Sequence, residues 1–147
     1  MAGAPGSKVE ELEQKLADRR AARAKAEEAQ YEKDLEARIE LEDEHGSIAS
    51  VSVARFVAGH PTMALLRTPT SAEYKRYKAQ MFRAAAEKKA AVGQQAAQEL
   101  LAGACWVYPK TEDERAAMLE AFPGLLTPIS MAAAALAEGK TEETGKG

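Results

Sequence analysis

The chain has one cysteine, two histidines and only eight aromatic residues (three Phe, four Tyr and one Trp) in 147. A single cysteine forms no internal disulfide, and nothing in the pattern argues for an oxidising compartment. No apolar run approaches the roughly 18 residues needed to span a bilayer. The start, MAGAPGSKVEELEQ, lacks the basic opening and apolar stretch of a signal peptide. His45 and His60 stand in the turn contexts EDEHG and GHPT, with no second histidine or cysteine at zinc-ligand spacing. Glu42, Asp43, Glu44 and His45 read as a solvated helix end rather than a divalent-ion site. No glycine-rich phosphate loop and no serine–histidine–acid arrangement is present. The expectation is therefore no enzyme, with no catalytic residue, metal or cofactor. The net charge of −3 gives no general drive toward nucleic acid or an anionic membrane. The length suits one compact domain with an appendage, soluble and cytosolic.

Much of the apolar content is alanine, which favours helix but buries little area, so a small core is expected. Residues 1–7 (MAGAPGS) read as a flexible tail, and Ser7 as the cap of a helix from Lys8. No Pro or Gly interrupts the chain from there to Glu44, which predicts one long charged helix over 8–45. Its faces leave two readings open. Val9, Leu12 and Leu16 follow three-four spacing, as do Tyr31, Leu35 and Ile39, but the same seam passes through Arg19 and Arg23, where a coiled coil wants apolar side chains. The helix is either solvated and single, or it docks on a partner or a second copy through residues 8–44.

Beyond EDEHG the character changes. SIASVSVARFVAG and MALLRTP are β-branched or apolar runs joined by Gly-His-Pro-Thr, which predicts a β-hairpin packed on later helices. Thr70-Ser71-Ala72-Glu73 is a capping box that opens a helix through Val92, with Gly93 as its break. A further helix closes at Pro109. Thr111-Glu112-Asp113-Glu114 is a second capping box, for a helix ending at Pro123-Gly124. Thr127-Pro128 reads as a cap with a first-turn proline, opening an alanine-rich helix to Gly139. Residues 140–147 read as a disordered tail. The fold class expected is mostly helical α+β: the long helix, a short hairpin, then three to four packed helices within a domain over 46–139.

Cys105, between Ala104 and Trp106, reads as a buried structural thiol rather than a reactive one, because no cation or helix N-terminus stands by to stabilise a thiolate. Charge is segregated. Arg67, Lys75, Arg76, Lys78, Arg83, Lys88 and Lys89 face only Glu73 and Glu87 in their stretch, while residues 8–44 hold thirteen acids against eight bases. The basic helix, interleaved with Tyr74, Tyr77 and Phe82, would suit nucleic acid, but it equally suits an acidic helix or open solvent. Large side chains exceed what a thin core hides. Tyr74, Tyr77, Met81, Trp106, Leu119 and Phe122 are the partner-binding candidates, with Lys75, Arg76, Lys78 and Arg83 as the basic face.

The order of these pieces resembles the tail assembly chaperones of tailed bacteriophages over roughly residues 47–139. The likeness lies in a β segment leading into a helix with an aromatic-basic face (ALLRTPTSAEYKRYKAQ) and a Cys-aromatic-Val-x-Pro segment (ACWVYPKTEDE). It continues in a helix closing on aromatic-Pro-Gly (LEAFPGL) and a final alanine-rich helix (ISMAAAALAEG). The resemblance implies no catalytic residues. It implies a protein of the bacterial host cytoplasm that binds the long helical tape-measure protein and assists polymerisation of the tail-tube protein around it. Members of the family are often made in two lengths by ribosomal frameshifting. The helix over 8–44 departs from the family's shorter N-terminal segment and keeps open the alternative of a structural subunit that docks through that helix.

Overall fold

The structure, a computed structural model, describes residues 5–87 and 90–139. Among these are five helices and three strands. They run α1 (Pro5–His45), β1 (Ile48–Ser52), β2 (Met63–Arg67), α2 (Ser71–Ala86), α3 (Ala90–Cys105), β3 (Trp106–Tyr108), α4 (Glu112–Ala121) and α5 (Leu126–Ala137). The mostly helical α+β class holds. The sheet has the order β1-β2-β3 with both pairs antiparallel. The third strand was not anticipated: Trp-Val-Tyr is too short to show a period of two, and it finds its partner 40 residues back in β2.

Side chains alternate across a sheet, so a central strand covered on both sides is apolar throughout. In β2, Met63 and Leu65 meet Ile48 and the α1 residue Leu41, with Ala37, Val107 and Tyr108 packed against them. Ala64 and Leu66 meet Val51, Trp106, Ala102, Met118, Leu125, Ile129 and Ala132 on the opposite face. Behind this second layer, Leu101, Cys105, Ala133 and Ala134 form a third cluster with Tyr74, Tyr77 and Ala104. The alanines let α5 approach closely, and the core is thin.

The long helix is therefore only partly an appendage. Its later half is the first of three layers, held by a buried carboxylate. Asp34, fully buried, accepts hydrogen bonds from the Thr62 backbone N–H (2.7 Å), the Thr62 hydroxyl, the Tyr108 hydroxyl and the Gln30 amide. Burial, then the bond to Asp34, pushes the Tyr108 hydroxyl pKa up. Arg38 donates to Ser50 Oγ and to the Ile48 carbonyl, fastening the helix to β1.

Several expected boundaries move. Helix α1 begins at Pro5, because a proline is suited to a first turn whose N–H would lack a partner anyway, so Ser7 lies inside it rather than capping it. The strands are joined by residues 53–62 instead of a tight turn at Gly-His-Pro-Thr. Phe56 is buried there, and Val57 leaves the strand to accept a turn hydrogen bond from the His60 N–H. Helix α2 ends at Ala86, and Gly93 lies inside α3. A Cβ at Gly93 would stand 2.1 Å from the Ala84 Cβ, so this glycine permits close approach of the two helices rather than breaking one. Both capping boxes form as expected, at Thr70/Glu73 and Thr111/Glu114. Thr127 caps nothing: α5 starts two residues earlier, at Leu126 behind Leu125, without a side-chain cap. Of the flexible tail expected over 1–7, residues 5–7 are helical, while residues 1–4 and the tail expected at 140–147 lie outside the described residues, as do Lys88 and Lys89.

One ion pair ties three elements. Arg67, at the end of β2, pairs with Glu73 in the first turn of α2 at 2.8 Å and donates to the Ala104 carbonyl of α3 at 2.6 Å. The Arg67 hydrogen bonds, helped by the Thr70 N–H against the cost of burial, lower the Glu73 pKa to about 2. A depressed carboxylate contributes stability that is present above its unfolded value and lost as pH falls through the folded one. Unfolding titrations should show stability declining between about pH 4.5 and pH 2, and Glu73→Gln should flatten that segment. An unchanged slope in the variant would assign the acid sensitivity elsewhere.

Candidate functional site

Where the chain turns from α4 into α5, Phe122 closes the helix and Pro123-Gly124 redirects it. Phe122 is half-buried. Its ring lies under the Arg55 guanidinium at 5.2 Å, and Arg55 Nη2 also donates to the Ala121 carbonyl. These contacts bring the loop after β1 against the α4–α5 corner. Between them opens a cavity of about 400 Å³ lined by Val51, Val53, Ala54, Phe122, Leu125 and Pro128, with Ser52 and Arg55 among its few polar members. Its floor, Val51 and Leu125, belongs to the main core, and half-buried Val53 and Phe122 pack against the same cluster. Such a trough suits apolar side chains from a helix or extended segment.

The expected binding residues divide. Phe122 lines the trough, and half-buried Leu119 packs on the core next to it. Trp106 does not belong to a surface: only 6% of it is exposed, and its indole N–H donates to the Tyr108 carbonyl, because β3 carries the ring into the core. Tyr74 and Tyr77 turn toward Leu101, Cys105 and the α5 alanines, away from the trough. Tyr74 donates from its hydroxyl to Glu138 (2.6 Å), a bond that raises its pKa to about 12. Met81 is half-buried further along α2. The six residues thus fall in separate places: Tyr74 and Tyr77 with the cluster around Leu101, Trp106 in the main core, and Leu119 and Phe122 at its edge beside the trough.

Lys75, Arg76, Lys78 and Arg83 are exposed on α2. Their interleaved tyrosines are spent on the core, with the Lys78 ammonium 6.0 Å from the Tyr74 ring centre, so only Phe82 remains as an outward ring. A base-stacking platform needs several. The thiol of Cys105 is fully buried and its pKa is pushed up to about 11 by desolvation, so it stays protonated at neutral pH. Among the described residues no three His, Cys, Asp or Glu gather closely enough to hold a metal ion, and no helix is long and apolar enough to cross a membrane.

Sequence reasoning reached Phe122 but missed Val53, Arg55 and Pro128 as its neighbours. The alternating valines signalled a strand, yet nothing local links residue 53 to residue 122. No family model matches the chain, and comparison with curated proteins and with solved structures gives no match either.

Proposed function

We propose that this chain is an assembly chaperone of a phage tail, which holds apolar helical segments of the tape-measure protein until the tail-tube protein polymerises around them. The observation that carries the reading is the trough beside Phe122, whose lining is mostly apolar: Val51, Val53, Ala54, Phe122, Leu125 and Pro128. A long helical client exposes repeated apolar side chains at three-four spacing, and a fixed trough of this size accepts two or three of them at a time. The element order supports the same reading: a strand leads into the capped α2, the Cys-Trp-Val-Tyr-Pro segment follows α3, α4 closes on Phe-Pro-Gly, and α5 is rich in alanine.

The test is binding of the purified tape-measure protein to the wild-type chain and to Phe122→Ala and Val53→Glu. Because Phe122 and Val53 are only half-buried, both variants should keep the wild-type helical circular dichroism while losing affinity by tenfold or more. Folded variants that bind as well as wild type would remove the trough from the mechanism. A second reading, a subunit of the finished particle docked through α1, rests on the length of that helix. Finding the chain in purified particles at fixed stoichiometry would select it over the chaperone.

A further inference from the structure

The face of α1 that meets the sheet does not stop where the sheet stops. Leu41, Ala37, Asp34, Gln30 and Arg23 reach the domain in steps of three, four and seven, and Arg23 donates to the Phe56 carbonyl. Continuing in the same steps, the stripe passes Arg19 to Leu16, Leu12 and Val9, about half-exposed at 47%, 52% and 54%. Residues 6–22 are exposed throughout, an arm of about 25 Å at 1.5 Å per residue. A docking face thus runs on past its own domain with nothing of this chain against it.

Charge along the arm is polarised. Residues 8–18 carry Glu10, Glu11, Glu13 and Asp18 against Lys8 and Lys15, whereas residues 19–25 carry Arg19, Arg20, Arg23 and Lys25 and no acid. A parallel pair of arms would set acid on acid and stack Arg19 on Arg19 and Arg23 on Arg23 in the seam. An antiparallel pair sets the acidic stretch of each copy beside the basic stretch of the other. It also places the aliphatic stem of Arg19 over the leucines, with its charged head reaching the glutamates.

We infer that the occupant of this stripe is a second copy of the same chain, with the two arms crossed antiparallel over residues 8–25 through Val9, Leu12 and Leu16. The two-fold axis falls near residues 16–18, and the troughs beside Phe122 stay open on both protomers. The inference rests on α1 alone and stands or falls separately from the client reading.

Sedimentation equilibrium of the full chain at low salt should show a monomer–dimer equilibrium. Leu12→Glu with Leu16→Glu should raise its dissociation constant about a hundredfold or more without altering the thermal unfolding of the domain. Reversing Glu10, Glu11 and Glu13 to Lys should break the homodimer. Mixing that variant with one carrying Arg19→Glu, Arg20→Glu and Lys25→Glu should form a heterodimer. Orientation is read with a spin label on Ser7→Cys, since Cys105 is buried and unreactive. Antiparallel arms hold the two labels about 25–30 Å apart, and parallel arms hold them within about 10–15 Å. A monomer at all concentrations, a dimer indifferent to the leucine and charge variants, or closely spaced labels would each overturn the inference.

Discussion

Replacing Asp34 by Ala should lower the stability of the chain by about 3 kcal/mol and release the later half of α1 from the sheet. The carboxylate is fully buried, and its neighbours are donors: the Thr62 N–H and hydroxyl from the loop, the Tyr108 hydroxyl from β3 and the Gln30 amide from its own helix. Removing it leaves the half-buried Thr62 N–H and Tyr108 hydroxyl without their acceptor, and each orphaned donor costs roughly 1–3 kcal/mol. Asp34→Asn should cost less, because the amide oxygen keeps one acceptor and the Tyr108 hydroxyl can rotate to accept from the new NH2. Urea unfolding gives the size of the loss, and amide exchange over residues 30–45 shows where it falls. A loss under about 1 kcal/mol would mean that Leu41 and Ala37 hold the helix without the carboxylate.

Trp106→Ala should be the costliest single truncation in the domain, at about 3–5 kcal/mol. The ring fills the layer between β2 and helices α4 and α5, in one cluster with Leu66, Met118 and Ile129, and its N–H is satisfied by the Tyr108 carbonyl. The cavity left behind closes only in part, because its neighbours Leu66, Met118 and Ile129 are themselves fully buried and held by their own packing. Trp106→Phe should recover much of the loss by refilling the space without the hydrogen bond. Denaturant midpoints of the pair decide the matter, and an alanine variant within about 1 kcal/mol of wild type would place the ring outside the core. This separates Trp106 from Phe122, whose truncation should cost binding before it costs folding.

What could be read in advance follows from how local each cause is. The capping boxes at Thr70 and Thr111 are four-residue chemistry, and both helices start where those residues require. Helix α1 follows from an unbroken run of helix formers. The β-hairpin was legible in its strands but not in its loop, because the turn signals at Gly59 and Pro61 are real while the burial of Phe56 depends on α1. Strand β3 and the trough depend on pairings between residues 40 and more than 60 positions apart, for which no short pattern exists. The aromatic-basic face of α2 misled for a related reason. A helix sequence shows that Tyr74 and Tyr77 share a side, and only the packing of α3 and α5 shows that this side is the inner one.

The hydrogen bond between Tyr108 and Asp34 spans 74 positions of the chain. As the polypeptide leaves the ribosome, α1 and the first two strands emerge well before the residue that completes the site. Until Tyr108 arrives, docking α1 would bury the Asp34 carboxylate short of one of its donors, which weakens the attachment. The arrival of β3 supplies both the donor and the sheet edge on which Trp106 enters the core. The full set of bonds that holds the first helix is thus complete only when the C-terminal half has been made.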